Sequence, residues 1–345
     1  MKKTVIDIPA FGWNRRGFLA TAGFGLLGGA LSVKAGETPK TATFRYALNP
    51  ATIRGYKCSL KEQVRLCIEA GYQGIEPWIS DLRAAKEAGE LDDIRKMCAD
   101  AGLTVVNGIG FAPWAVPDAV ARESGLEEMK RDMALMAEAG GAFIAAPPSG
   151  VAGGKDPTVS LDEFVDRYRA VLAMGDETGV TPILEFWGAS KNMSRLNEAL
   201  YVAGASGHPK VAILADVYHM YRGGSSYEGL RFLSPSTLPV LHVNDFPSSP
   251  AREKLGDADR VWPGDGIAPW ARIRDLLAAG GLNPWLSLEL FNAAYWKTTP
   301  IETLRTGLDK MRRVFEGCAS ACRRPCGEVP KTYGETFEVK KDSIT

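Results

Sequence analysis

Histidine is scarce in this chain of 345 residues, which has only three: His208, His219 and His242. Two of them stand in or just past a predicted strand with an acid close by. Ile213-Leu214-Ala215-Asp216 is a short apolar run closed by a carboxylate, and His219 follows three residues later. Val240-Leu241-His242-Val243-Asn244-Asp245 places the imidazole inside the run. Two more carboxylates sit in apolar surroundings, Glu185 in Ile183-Leu184-Glu185-Phe186-Trp187 and Glu289 in Ser287-Leu288-Glu289-Leu290-Phe291. A carboxylate is costly to bury alone, and a cation removes that cost. Three hard oxygens and one imidazole suit one divalent ion, Mn2+ or Mg2+ first, with Zn2+ or Co2+ as alternatives. Taken singly, each acid also reads as a salt bridge or cap, Asp216 as a helix cap and His219 as a surface side chain. His219 lies about one helical turn past Asp216, close to a metal but better placed for substrate. His208, in the polar Ser206-Gly207-His208-Pro209, receives no role.

These residues need a scaffold that brings distant strand ends together. From Thr43 onward a short apolar run, a polar or Gly/Pro-containing loop and an amphipathic helical segment repeat eight times. The runs are 44–48, 74–78, 103–108, 142–146, 182–187, 211–216, 240–245 and 285–290. The helices are expected at 59–70, 91–101, 125–139, 161–179, 194–204, just after Ser226, at 270–279 and at 300–315. Ser59 with Glu62 makes a capping box, and the recurrent Ala-Gly or Thr-Gly turns suit helix C-caps. Eight such units fit a single-domain (β/α)8 TIM barrel, whose working residues lie at the C-terminal ends of the strands. Those ends read Glu76, Glu185, Asp216, His242 and Glu289 on strands two, five, six, seven and eight. An open doubly wound sheet is the competing fold, but Asn49-Pro50-Ala51-Thr52 is not its Gly-rich turn.

The totals narrow the partners. Lysine plus arginine and aspartate plus glutamate each number 41. The first 35 residues hold Lys2, Lys3, Arg15, Arg16 and Lys34 against Asp7, so the remainder has 36 basic and 40 acidic side chains, net −4. A mildly acidic body speaks against non-specific nucleic-acid binding. Asn14-Arg15-Arg16-Gly17-Phe18-Leu19, the glycine-rich apolar run to Val33 and a cleavage site after Ala35 resemble a twin-arginine export signal. That run is too short for a spanning helix, so no stable membrane span is expected after cleavage. The expected divisions are a signal at 1–35, a linker at 36–43, the barrel at 44–317 and a tail at 318–345, in a periplasmic or secreted protein. Cys58, Cys67 and Cys98 are scattered. Cys318, Cys322 and Cys326 match no zinc spacing and read as thiols of a loosely attached tail.

Several motifs together resemble a known family. Leu184-Glu185-Phe186-Trp187-Gly188, Asp216-x-x-His219, His242-Val243-Asn244-Asp245, Asp259-Arg260-Val261-Trp262-Pro263-Gly264-Asp265-Gly266 and Ser287-Leu288-Glu289-Leu290-Phe291 resemble the xylose-isomerase-like barrels of sugar isomerases and epimerases, inosose isomerases above all. The likeness runs from about Phe44 to Phe315 and is densest in strands five to eight. It implies a metal held by Glu185, Asp216, His242 and Glu289, with substrate contacts from His219 and Arg260. It also implies acid–base work by Glu185 and Glu289 on a metal-stabilised enediolate, with His219 on the oxygen that gains charge. Trp114 and Trp187 are candidate walls for a sugar or cyclitol, whereas Trp78 reads as core. The same enolate chemistry would serve a lyase of keto-glycosides. A sugar-binding barrel without catalysis is a further alternative, and a homo-oligomer is left open.

Overall fold

Period-two alternation along the strands sorts the apolar side chains into two sets. Ala47, Val106, Ala145, Ile183, Leu214, Val240 and Trp285 form one buried cluster. Their strand neighbours Leu48, Ile144, Leu184, Ile213, Leu241, Leu286 and Leu288 join a larger cluster with helix residues. Successive strand side chains point to opposite faces, so the first set fills a barrel interior and the second glues the strands to a helical layer. Each large apolar side chain so buried contributes about 1.5–3 kcal/mol.

The computed structural model describes residues 44–317. The expected signal at 1–35, linker at 36–43 and tail at 318–345 with Cys318, Cys322 and Cys326 lie outside the described residues. Eight parallel strands close on themselves. They are Arg45–Leu48, Gly74–Ile75, a third in two segments, Phe143–Ala146, Thr181–Glu185, Ile213–Asp216, Val240–Val243 and Trp285–Leu288. The third strand consists of Thr104–Val105, which pairs with the second strand, and Asn107–Gly108, which pairs with the fourth. Val106 is the joint between them, and the first strand pairs with the eighth through Ala47 and Ser287, so the ring is complete. This is the expected TIM barrel, with helices alternating around it. Among the described residues no helix is long and apolar enough to cross a membrane.

The helices start and stop where local chemistry dictates. Ser59 accepts from the Glu62 amide and Glu62 reciprocates, capping Leu60–Ala70, and Gly71 ends it at φ 90. Gly102 and Gly179 close Leu91–Ala101 and Leu161–Thr178 in the same left-handed way. The interior tolerates no side chain at Gly74, where a Cβ would lie 2.6 Å from Val106 Cγ2 and 3.0 Å from Trp285. Two helices fall outside the eight expected, the second of them at the cap that Asp216 offers as an alternative reading. Ile79–Glu87 follows directly on Trp78, and Val217–Gly223 begins at Asp216 itself.

Candidate metal and proton-transfer site

The alternation that hides Leu241 and Leu288 against the helices turns their neighbours inward. His242 pairs in register with Asp216 on one side and with Ser287 on the other. Glu289 follows the eighth strand, and its amide donates to the Val243 carbonyl at 3.2 Å. Asp216, His242 and Glu289 are buried and can each offer one donor atom, all within 4.8 Å of one another.

Each of these side chains is oriented by neighbours. Asp216 Oδ1 accepts the His219 amide at 2.7 Å and so caps Val217–Gly223. Its Oδ2 accepts from Asn244 Nδ2 at 3.0 Å and from Arg260 Nη1 at 3.1 Å. The cap and the inward carboxylate, alternatives in the sequence, are both present in one side chain. Glu289 Oε1 accepts from Asn49 Nδ2 at 2.8 Å, and its Oε2 from Arg260 Nη1 at 2.6 Å. His242 Nε2 lies 3.0 Å from Glu76 Oε2, and Glu76 also accepts from Asn107 Nδ2 at 3.0 Å and from the Ser287 hydroxyl. The carboxylate of Glu76 therefore fixes the ring with its proton on Nε2 and turns Nδ1 to the cluster. His242 Nδ1 is 3.3 Å from Glu289 Oε2 and 3.7 Å from Asp216 Oδ2, yet it is buried with no hydrogen-bond partner.

An unpartnered imidazole nitrogen between two carboxylates, with its opposite nitrogen held by a third, fits a divalent cation. The four-residue set expected from sequence is brought together in part. Glu185 ends the fifth strand, is buried and lines the same cavity, but stands outside the tight group. Burial pushes the Glu185 carboxyl up to about 8, with Glu289 adding to the shift, while His242 and a hydrogen bond from the Trp187 side chain oppose it. Asp216 and Glu289 go the other way. Burial would raise both, but Arg260 and the two histidines hold Asp216 below the usual carboxylate range, and His242 and Arg260 do so for Glu289. Burial alone would lower His242, and the carboxylates of Glu289 and Glu76 instead hold its pKa well above the ordinary value when no cation is there.

Arg260 is buried at the centre of this network. Besides Asp216 and Glu289, its Nη2 reaches Asp257 Oδ1 at 2.5 Å and lies 3.1 Å from His219 Nε2. The guanidinium stacks 4.4 Å from the Tyr218 ring centroid and 5.1 Å from that of Phe291. The Gly188 amide donates to His219 Nδ1 at 3.1 Å. That approach is open only to glycine, since a Cβ at Gly188 would lie 2.5 Å from the His219 carbonyl oxygen. Burial, the largest influence on the ring, lowers its pKa. The neutral ring then carries its proton on Nε2, facing the Arg260 donor. Two donors facing each other lack an acceptor, and an oxygen-rich ligand supplies one.

The loop bearing Arg260 is tied down by Asp245, the last residue of the His242-Val243-Asn244-Asp245 motif. Its carboxylate accepts the amides of Phe246 at 2.8 Å, Ala268 at 2.9 Å and Gly264 at 2.9 Å, and the Trp270 indole at 2.8 Å. An antiparallel bridge joins Asp245 to Val261.

The cavity over the cluster measures about 470 Å3. Of the residues expected in it, Glu185, Glu289, His219, Arg260 and Trp187 line it. Trp114 does not. Its ring is fully buried against Phe164 and Tyr168, centroids 5.8 and 6.1 Å away, and its indole donates to the Pro147 carbonyl, so it packs the helical layer. Trp78 is the reverse correction. Expected in the core, it lines the cavity, with its indole on Asn49 Oδ1 at 3.1 Å. Phe111, Phe291, Arg54 and Asp257 also line it from loops or short turns; of these only Phe291 belongs to a motif read from the sequence, and there it has no role of its own. His208 pairs with Asp176 at 3.0 Å, away from the cavity.

The family described as xylose isomerase-like TIM barrel matches residues 64–314. The inosose isomerase of Bacillus velezensis is 31% identical over 137 residues, which are 39% of this chain and 49% of that protein. The chain thus spans about half the length of the curated relatives it matches. The crystal structure of the IOLI protein with a bound zinc atom superposes with a TM-score of 0.72 at 22% identity, covering 79% of this chain and 98% of that one. A D-psicose 3-epimerase structure determined in the presence of D-fructose gives 0.65 at 16%, covering 79% and 99%. At these identities the likeness to the solved structures is one of fold.

Proposed function

We infer what this chain does from one premise: it belongs to the xylose isomerase-like TIM barrel family. It is a divalent-metal-dependent isomerase or epimerase of a sugar or cyclitol, exported by the twin-arginine segment at 1–35. One observation carries the reading. His242 Nδ1 is buried and unpartnered between the carboxylates of Asp216 and Glu289, beneath a cavity that Glu185 also lines. Asp216, His242 Nδ1 and Glu289 would hold the ion, with Glu185 as a fourth donor, and Mn2+, Mg2+, Zn2+ and Co2+ all accept that set. When bound, the ion supplies Lewis acidity to adjacent carbonyl and hydroxyl oxygens of the substrate.

The rest is the work of the chain. A C–H beside a carbonyl is a weak acid, and its removal needs a base in reach. Glu185 ends the fifth strand and Glu289 follows the eighth, three places apart round the barrel, so their carboxylates meet the substrate from different directions. Glu289, held ionised, takes the proton from carbon, and Glu185, whose buried carboxyl is pushed up to about 8 and so carries a proton near neutral pH, returns one to the neighbouring carbon or to the other face of the same carbon. His219 Nε2–H and the Arg260 guanidinium hydrogen-bond the oxygen on which negative charge grows. Arg260 also keeps Asp216 and Glu289 ionised and ready for a cation. The inosose isomerases among the relatives support this class of reaction.

The test is proton exchange. Protein loaded with each ion is incubated in D2O with inososes, ketohexoses and 3-keto-glycosides and followed by NMR. Metal-dependent deuterium incorporation at the carbon next to the carbonyl is expected with at least one of them. Exchange that is absent throughout, or that survives chelation, refutes the reading.

A further inference from the structure

The cavity has two storeys of different chemistry. The floor is polar and buried, with Glu185, His219, Arg260 and Glu289 no more than 7% exposed. Above it Trp78, Phe111 and Trp187 form a contiguous aromatic wall. The Trp78 and Phe111 centroids are 5.4 Å apart at 72°, and those of Phe111 and Trp187 are 6.2 Å apart at 51°. Phe111 is 46% exposed, and Trp78 and Trp187 are part-exposed. A large aromatic left half in water beside an acid site is poorly explained by packing. Aromatic faces bind the apolar faces of flat rings.

Size points the same way. A free six-carbon sugar of twelve heavy atoms occupies about 200 Å3 at the packing density of organic solids, less than half of the 470 Å3 present. Small residues, Ala152, Gly153 and Ala189, also line the cavity and leave the remainder open. At the same mouth Arg54 stacks 5.0 Å from the Trp78 ring centroid and makes no ion pair among the described residues, so its donors are available to a ligand oxygen.

We propose that the substrate is a two-ring molecule: a sugar or cyclitol ring over the carboxylates, joined through one oxygen to a second six-membered ring that lies on Trp78, Phe111 and Trp187 with Arg54 at its edge. The proposal rests on reading the floor as a sugar site and names the substrate class that the site takes. The second ring is either another sugar or an aromatic aglycone, and both offer the same flat apolar face.

Calorimetry on the metal-loaded full chain separates these outcomes with three probes that lack a keto group: D-glucose, cellobiose and phenyl β-D-glucopyranoside. At least one two-ring probe should bind about tenfold tighter than glucose. Preference for cellobiose identifies a sugar as the second ring, and preference for the phenyl glucoside an arene. Phe111→Ala, a change at a half-exposed position that leaves the core intact, should cut the preference to about threefold or less. Equal affinities for all three, no measurable binding of either glycoside, or a preference untouched by Phe111→Ala overturns the proposal. Deuterium exchange run in parallel keeps the two readings apart. Lost exchange with the preference intact sinks the floor's chemistry and leaves the upper storey standing, whereas exchange without preference sinks the upper storey alone.

Discussion

Replacing Glu76 with glutamine probes the metal site without touching any proposed ligand. The side chain is fully buried and its two oxygens meet three donors. Oε1 accepts from Asn107 Nδ2, and Oε2 accepts from His242 Nε2 and Ser287 Oγ. A carboxylate satisfies all three, but an amide has one oxygen and one NH2. If the amide oxygen faces His242 and Ser287, the NH2 is set against the Asn107 NH2. If it faces Asn107, the NH2 is set against His242 Nε2–H and drives the imidazole proton to Nδ1, where it blocks a cation. The first orientation forfeits a buried hydrogen bond, costing about 1–3 kcal/mol, the second reverses the bond to His242 at the expense of the ligating nitrogen, and in both the charge that orients the ligand ring is lost. Loss of such an outer partner weakens metal binding by roughly 10–100-fold, or about 1.4–2.8 kcal/mol. Competition against a fluorescent chelator measures the affinity, and thermal unfolding with and without metal separates it from plain destabilisation. Glu76→Gln binding metal within twofold of the parent chain, or an equal loss of stability in both states, would show that Glu76 does not orient His242 for a cation.

Three further outcomes are expected. Glu185→Gln leaves Asp216, His242 and Glu289 together, so at saturating metal the ion is still held while deuterium exchange falls by at least about 10²-fold; unchanged exchange would remove Glu185 from proton transfer. Burial pushes the Cys98 thiol up to about 11 and raises the buried Cys67 well above the ordinary value, so at pH 8 roughly one Cys98 in a thousand is thiolate. Peptide mapping after iodoacetamide should find both cysteines unlabelled until the protein is unfolded, with early labelling of either contradicting their burial. Changing Arg15 and Arg16 together to lysine should leave the protein in the cytoplasmic fraction of an expressing bacterium, and undiminished export would refute the twin-arginine reading.

Strands were legible because a barrel strand is buried on both faces, and a lone acid or histidine in such a run stands out. That signal located Glu185, Asp216, His242 and Glu289 and put them at one mouth. What the sequence hid falls into two kinds. Glu76 was visible at the end of a strand, but its partners His242 and Ser287 are 166 and 211 residues away, and no spacing rule links them. Phe111, Phe291 and Arg54 lie in loops or short turns, where neither period two nor period 3.6 marks which side faces the cavity. The tryptophans show the same limit: Trp78 and Trp114 each follow a proline, yet the first lines the cavity and the second packs the helical layer. Ile79–Glu87 escaped notice because Trp78 offers no side-chain cap to mark its start.

The ring of strands is laced unevenly. From the first strand to the fourth each ladder spans only two residues, through Gly74–Ile75 and the two halves of the strand broken at Val106, with one further bridge from Trp78 to Ile109. Four-residue pairings join the first strand to the eighth and the seventh to the eighth. Glu76 and Asn107 rise from the loosely laced arc and meet His242 and Ser287 from the well-laced side across the barrel's interior. A cation on His242 thus also clasps shut the part of the barrel that contributes no ligand to it. The amides of Ile75 and Val106 should gain protection from hydrogen exchange on metal loading, so that strands two and three register an ion they never touch.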